Sequence, residues 1–387
     1  MKAADHLPPK LQSGLEDYKA GRVDRRAFLN RALMYGLSAP LVSGLLGEIA
    51  GVGVARAMGI HPLTGRLVAD MDNGGPGDHN IWSFNAESIA TFDGSWIWSG
   101  QGFYPSWVEL DPTVGPPQIL YSRPSSVTST TTMQIWRCIE GNVNQQQLTS
   151  LTFPGLEYTT QALQYPTQAR NGLIAFRVDY GGNGSTAVYV MGPNGESPHA
   201  ILGVSWPNVI GPVCIDIQGD WIYFMGNLEG GVFTGARNRI WRIHPDGSGW
   251  GAVTSSQGSA SLAPYQPDAN VPTVSPDGLN IACFVGVEGN EIPGPGQNVA
   301  ILNADGSGRR DIGPLGSCRS VSGEVITLKD RDNPLWAPDK TLIIHSSMCS
   351  DTKIHTIVST VDGLEIRDLG YGSYWKDGGG RRAWRGN

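Results

Sequence analysis

The stretch Val271-Pro272-Thr273-Val274-Ser275-Pro276-Asp277-Gly278-Leu279-Asn280-Ile281-Ala282-Cys283-Phe284 holds two short β-favouring runs on either side of a proline- and Asx-glycine-rich turn. Asx-Gly pairs adopt the positive φ angles that close tight hairpins. The pattern returns at Pro334-Leu335-Trp336-Ala337-Pro338-Asp339-Lys340, which runs into Leu342-Ile343-Ile344. A weaker form is Pro166-Thr167-Gln168 through Asn171-Gly172 into Leu173-Ile174-Ala175-Phe176. Weaker again is Gly211-Pro212-Val213, leading to Asp220-Trp221-Ile222-Tyr223-Phe224.

A second motif recurs downstream of each of these. An apolar or β-branched residue followed by an aromatic occurs at Ile81-Trp82, Ile135-Trp136, Val188-Tyr189 and Ile240-Trp241. Val299-Ala300 and Ile354-His355 continue the series, and the second positions are separated by 54, 53, 52, 59 and 55 residues. The later motifs lead into turns: Pro193-Asn194-Gly195, Pro245-Asp246-Gly247, Ala304-Asp305-Gly306 and Val361-Asp362-Gly363. Short strands follow, such as Gly251–Thr254, Arg310–Gly313 and Glu365–Leu369. Each repeat thus holds four strands, lettered A to D, with tight A–B and C–D turns and longer B–C and D–A connections. A period near fifty with four strands per period predicts an all-β fold, a six-bladed β-propeller of four-stranded antiparallel blades. One blade cannot cover its own apolar faces, so neighbours must stack.

Composition agrees. Of 387 residues, 52 are Gly, 26 Pro and 12 Trp, and only 16% are charged. Net charge is −7; residues 1–57 hold eight Lys/Arg and five Asp/Glu, leaving 20 − 30 = −10 for residues 58–387. So acidic a body argues against a nucleic-acid or anionic-membrane surface. The five cysteines lie far apart with no CxxC pair, which leaves a metal knuckle or redox motif unsupported. Cys138, Cys214 and Cys283 sit in apolar runs as buried thiols; Cys318 and Cys349 are the expected disulfide pair.

The repeat resembles the TolB-like propeller family. The resemblance is carried by Ser275-Pro276-Asp277-Gly278 with Ile281-Ala282-Cys283-Phe284 after it, and by Asn303 to Ile312, Ala337 to Lys340 and His244 to Gly249. It spans residues 60–380 and fades toward the first two repeats. It implies a cell-envelope setting.

The first 57 residues resemble a twin-arginine export signal. Arg25-Arg26 is followed by Phe28-Leu29, then a mildly apolar run from Ala32 to Val54, then Ala55-Arg56-Ala57, a small-x-small cleavage site. Glu48 and Pro40 argue against a stable membrane span there. The expected organisation is a helical signal segment at 1–57 and a propeller at 58–387. In the first repeat Arg66–Asp70, Asn80–Phe84 and Ile89–Phe92 read as strands B, C and D, and residues 372–376 as the missing A strand. Residues 381–385 read as a solvated tail.

Function is expected on the face with the long connections. Candidate ligand-binding residues there are Arg237, Asp268, Asn270, Asp330, Arg331 and Asp332, with Asp179 among further polar candidates. Asp330-Arg331-Asp332 enters an A strand directly. Its alternating carboxylates suit a divalent metal or a basic ligand, and a local turn with Asp–Arg pairing accounts for them about as well. His345 is the candidate metal ligand, beside His355 on the adjacent strand; a packed core role is expected for His355. There is no GxSxG, HExxH, Walker or dinucleotide motif. Two readings result. One is an exported, periplasmic scaffold that binds an envelope protein, a peptide or an oligosaccharide. The other is an exported metal-dependent enzyme similar to oligogalacturonate lyases, which share TolB-like blades and use a histidine cluster with a divalent metal. The histidines of this sequence are too scattered to favour the second.

Overall fold

In a computed structural model of the protein the chain divides into two units, Met1–Pro62 and Leu63–Asn387. The structure describes residues 63, 65–72, 79–86, 94–98, 102–108, 116–124, 132–141, 143–152, 161–180, 186–202, 209–226, 239–254, 269–285, 298–312, 316–319, 324–329, 331–363, 366–371 and 382–385. The signal residues Arg25, Arg26, Phe28, Leu29, Ala55 and Ala57 lie outside that set, as do Ile89–Phe92 and residues 372–376.

The described residues are almost entirely strand and turn. They begin with β1 (Arg66–Asp72), β2 (His79–Asn85), β3 (Gly94–Trp98), β4 (Phe103–Trp107), β5 (Gln118–Pro124), β6 (Thr132–Ile139) and β7 (Val143–Gln147). Next come β8 (Gln161–Gln168), β9 (Ile174–Asp179), β10 (Thr186–Met191), β11 (His199–Ala200), β12 (Val209–Ile215), β13 (Ile222–Gly226), β14 (Arg239–Ile243) and β15 (Gly251–Ala252). Then follow β16 (Ala269–Val274), β17 (Asn280–Val285), β18 (Asn298–Asn303), β19 (Arg310–Asp311), β20 (Ser317–Arg319) and β21 (Val325–Thr327). The last are β22 (Asp332–Trp336), β23 (Leu342–Met348), β24 (Ile354–Thr360), β25 (Ile366–Tyr371) and β26 (Arg382–Arg385).

Four-stranded antiparallel sheets are the repeating unit: β12 to β15, β16 to β19, and β22 to β25, each in chain order. Two further groups, β4 to β7 and β8 to β11, merge into one eight-stranded sheet through a short parallel pairing of β6 with β8. The remaining four-stranded sheet runs β26-β1-β2-β3. This corrects two expectations. The fourth described strand of the first repeat is Gly94–Trp98, and the strand lying beside β1 is Arg382–Arg385, in the segment read as a solvated tail. Four residues there find β1 partners, from Arg66↔Arg385 to Ala69↔Arg382, so backbone pairing holds a basic segment that charge alone would leave in water.

The turns explain the motifs. In Ser275-Pro276-Asp277-Gly278 the Gly278 amide donates to the Ser275 carbonyl at 2.8 Å, Ser275 Oγ donates to Asp277 Oδ1 at 2.6 Å, and the Asn280 amide donates to Ser275 Oγ at 2.9 Å. Gly278 takes φ +76°, and Lys340 fills the matching place in the last repeat at φ +64°. The Lys340 ammonium reaches Asp277 at 2.6 Å, tying the two turns together.

Successive sheets pack face to face because each strand buries alternate side chains on opposite sides. Ile281 and Cys283 of β17 join Cys214, Tyr223 and Ile240 of the preceding sheet. Ala282, between them in sequence, joins Trp336 and Ile343 of the following one. That is why Ile281 to Phe284 reads as unbroken apolar sequence. The same alternation sends Val68 toward Ile119 and Tyr121, and sends Leu67 and Ala69 toward Leu342, Ile344 and Val358.

Polar contacts reinforce this stacking at the tight-turn end. Arg66 Nε and Ser83 Oγ donate to Glu140 at 2.8 and 2.7 Å, while Arg137 and Arg242 each donate to a turn carbonyl of the next group, Pro193 and Ala304, both at 3.0 Å. The hairpin β20–β21 has no counterpart among the other described groups; Cys318, Ile326 and Leu328 pack with Cys349 and Ile357. All five cysteines are buried and none forms a disulfide, so the expected Cys318–Cys349 bridge is absent from this structure. Burial pushes the Cys318 and Cys349 thiols up to about 12.

Candidate functional site

The first strand of five groups carries the same irregularity. β4, β8, β12, β16 and β22 all shift register near their start, next to a proline. In four of them the residue before the proline has positive φ: Tyr104 (+54°), Tyr165 (+54°), Val271 (+50°) and Asn333 (+48°). Such a conformation costs a non-glycine residue about 1–3 kcal/mol and persists only where the surroundings enforce it. A bulge re-aims the side chain that carries it.

Two of these residues meet. The Tyr104 and Tyr165 rings lie 4.2 Å apart, tilted by 42°, and both are half-buried. The Tyr104 amide donates to Asp70 Oδ2 at 2.9 Å, bringing the end of β1 to the same place. Asp70 is 3% exposed. Arg177 on β9 donates to Asp179 Oδ2 at 3.0 Å, and β9 pairs Arg177 with Gln164, next to Tyr165. Burial above all, then the Tyr165 hydroxyl and the Asp70 carboxylate, holds the Tyr104 hydroxyl well above the ordinary phenol range, with Arg177 opposing. Tyr104 is therefore a neutral hydrogen-bonding group, not a base. The site has aromatic faces, carboxylates and one guanidinium at the end of the sheets where the B–C and D–A connections begin.

Of these residues the sequence had singled out only Asp179. Asp70, Tyr104, Tyr165 and Arg177 were missed, although one signal was legible: the residues preceding Pro105 and Pro166 are both tyrosines at equivalent repeat positions.

The sequence candidates fall elsewhere. Arg237, Asp268 and Asp330 lie outside the described residues. Asn270 and Asp332 sit at the starts of β16 and β22, opposite Phe284 and Ser346 in register. Arg331 is a correction. It is fully buried, donates to Asn298 Oδ1 at 2.8 Å and to the Ile312 carbonyl, and burial pushes its guanidinium down to about 10. Inside the protein it joins elements of two groups and presents no face to a ligand. His345 is also fully buried, with Nε2 2.8 Å from Ser359 Oγ and Nδ1 3.2 Å from the Ser346 carbonyl. Both nitrogens have internal partners, so a metal-ligand role for His345 is a correction as well. His355 lies between two carboxylates, Nδ1 3.0 Å from Asp368 and Nε2 3.0 Å from Asp351. Among the described residues no group of three or more His, Cys, Asp or Glu is disposed to hold a metal ion.

No family profile and no curated protein matches the sequence. Solved structures do. TolB from Acinetobacter baumannii superposes with TM-score 0.57 at 15% identity, over 91% of this chain and 75% of that one. A TolB described as putative, from Agrobacterium tumefaciens, gives 0.52 at 14% identity, over 84% and 100%. An oligogalacturonate lyase in complex with manganese gives 0.50 at 11% identity, over 80% and 74%. The fold is that of TolB-like propellers. At these identities the likeness concerns the fold alone.

Proposed function

We propose that residues 58–387 form a closed six-bladed propeller that serves as a periplasmic binding scaffold, carried across the membrane by the twin-arginine signal at 1–57. Closure is supported by the first strands of the groups, which lie against one another in the order β26, β4, β8, β12, β16, β22 and back to β26. Binding at the mouth is supported above all by the tyrosine pair, held in strained backbone at the end from which the long connections spring. The opposite end is closed by arginine-to-turn contacts between groups, which leaves it less adaptable. The partner is a protein, a peptide or an oligosaccharide. Among the described residues no helix is long and apolar enough to cross a membrane.

A benzophenone side chain introduced at Phe103, in the full chain in its host envelope, is expected to crosslink a partner, and one at Asp305 on the tight-turn end is not. Crosslinks from Asp305 alone overturn the assignment of the face. Replacing Arg25 and Arg26 together with lysine is expected to leave the precursor unexported. The manganese-bound lyase keeps a metal-dependent enzyme as the second reading. Stoichiometric manganese bound by the purified protein would favour it.

A further inference from the structure

We infer that the mouth site accepts a cationic side chain, guanidinium or ammonium, from a peptide ligand; this rests on the binding reading above and names the chemistry of that site. The Tyr104 and Tyr165 rings supply the electron-rich faces that attract cations. Asp70 is buried against them, and the Asp179 carboxylate stays accessible, its side chain 29% exposed.

Among the described residues, positive charge near the pair is limited. Arg177, 12% exposed, is already engaged by Asp179. Arg123 points outward: its guanidinium lies 4.4 Å from the Trp136 ring centroid and donates to Gln145 at 2.6 Å. Among the described residues an anionic ligand would therefore face two carboxylates and a single guanidinium held by one of them. The charge of residues 58–387, 20 − 30 = −10, favours the approach of a cation from a distance.

Calorimetric titration of the full chain with acetyl-Gly-Arg-Gly-amide, against the same peptide carrying citrulline, isolates the charge from the shape. The arginine peptide is expected to bind about tenfold more tightly or better, and less tightly as salt rises. Asp179→Asn and Tyr165→Leu, each verified as folded by an unchanged melting curve, are expected to remove that advantage. Asp179 is partly exposed, so its variant tests the idea even if Tyr165→Leu does not fold. Equal binding of the two peptides overturns the cationic assignment and leaves the mouth as a binding surface. Arginine binding unchanged in Asp179→Asn, or absent in the wild type, overturns it too. Crosslinks confined to the tight-turn end overturn the mouth itself.

Discussion

A Cβ placed on Gly306 would lie 1.9 Å from the carbonyl oxygen of Val253, in the preceding sheet. Gly195 stands in the same relation to Leu148, at 2.0 Å, and both glycines have φ near +90°. The Asx-Gly signature therefore serves two ends, closing the turn within a sheet and letting the next backbone approach. Gly306→Ala is expected to lower stability by at least ~2 kcal/mol, combining the positive φ with the collision. Gly308→Ala is the comparison, since its nearest atom is the side-chain amide nitrogen of Asn303, at 2.7 Å, which can turn aside. Denaturant melts of the two variants check this; equal losses would show that the contact between sheets contributes nothing.

His355 is clamped between Asp351 and Asp368 under the β20–β21 hairpin, with one ring nitrogen 3.0 Å from each carboxylate. His355→Leu removes a hydrogen-bond partner of a fully buried carboxylate and is expected to cost about 1–3 kcal/mol. Partial burial on its own pushes the Asp351 carboxyl upward, but donation from His355 and from the Lys353 amide outweighs it and holds the group below the ordinary carboxylate range. A carboxyl depressed in the folded state stabilises above its unfolded value, about 4, and that contribution fades as pH falls through the depressed one. The stability gap between wild type and Asp351→Asn should accordingly be present at neutral pH and shrink below pH about 4. A gap that stays constant down to pH about 2 contradicts the assignment.

Most of the fold was legible because turn chemistry and repeat spacing are local. Ser275 to Gly278 and Asn303 to Gly308 fix hairpins through contacts a few residues apart, and the six aromatic-position motifs fall on β2, β6, β10, β14, β18 and β24. What failed was non-local. Arg331 and His345 are polar residues next to expected loops, and nothing in their own neighbourhoods announces that Asn298, Ile312 or Ser359 will surround them. The pairing of β26 with β1 joins residues some 300 positions apart, and Arg381-Arg382-Ala383-Trp384-Arg385 has the composition of a tail. Tyr104 and Tyr165 meet only because two bulges turn them toward each other.

Arg331 offers a clean separation of structural from ligand-contacting roles. Arg331→Met keeps much of the side chain's length but deletes the donors to Asn298 and Ile312, leaving those acceptors inside the protein. The expected loss is about 2–3 kcal/mol of stability, with binding of the arginine peptide unchanged. Weaker binding in a variant whose melting curve matches wild type would return Arg331 to the ligand site.

Removing residues 382–387 takes away the strand paired with β1 and frees the backbone from Arg66 to Ala69, at the edge of a sheet whose Leu67 and Ala69 share a core with Leu342, Ile344 and Val358. A loss of several kcal/mol in a domain of this size corresponds to a fall in Tm of roughly 10 °C. The decisive measurement adds a synthetic peptide of residues 381–387 to the truncated protein. If β26 acts by pairing, the peptide restores part of the lost Tm in a concentration-dependent way, because it binds the folded state alone. A peptide with Trp384 and Ala383 exchanged places the aromatic side chain one register position away and is expected to rescue less. Truncation that leaves Tm unchanged would mean that the first sheet is stable with β1 at its edge.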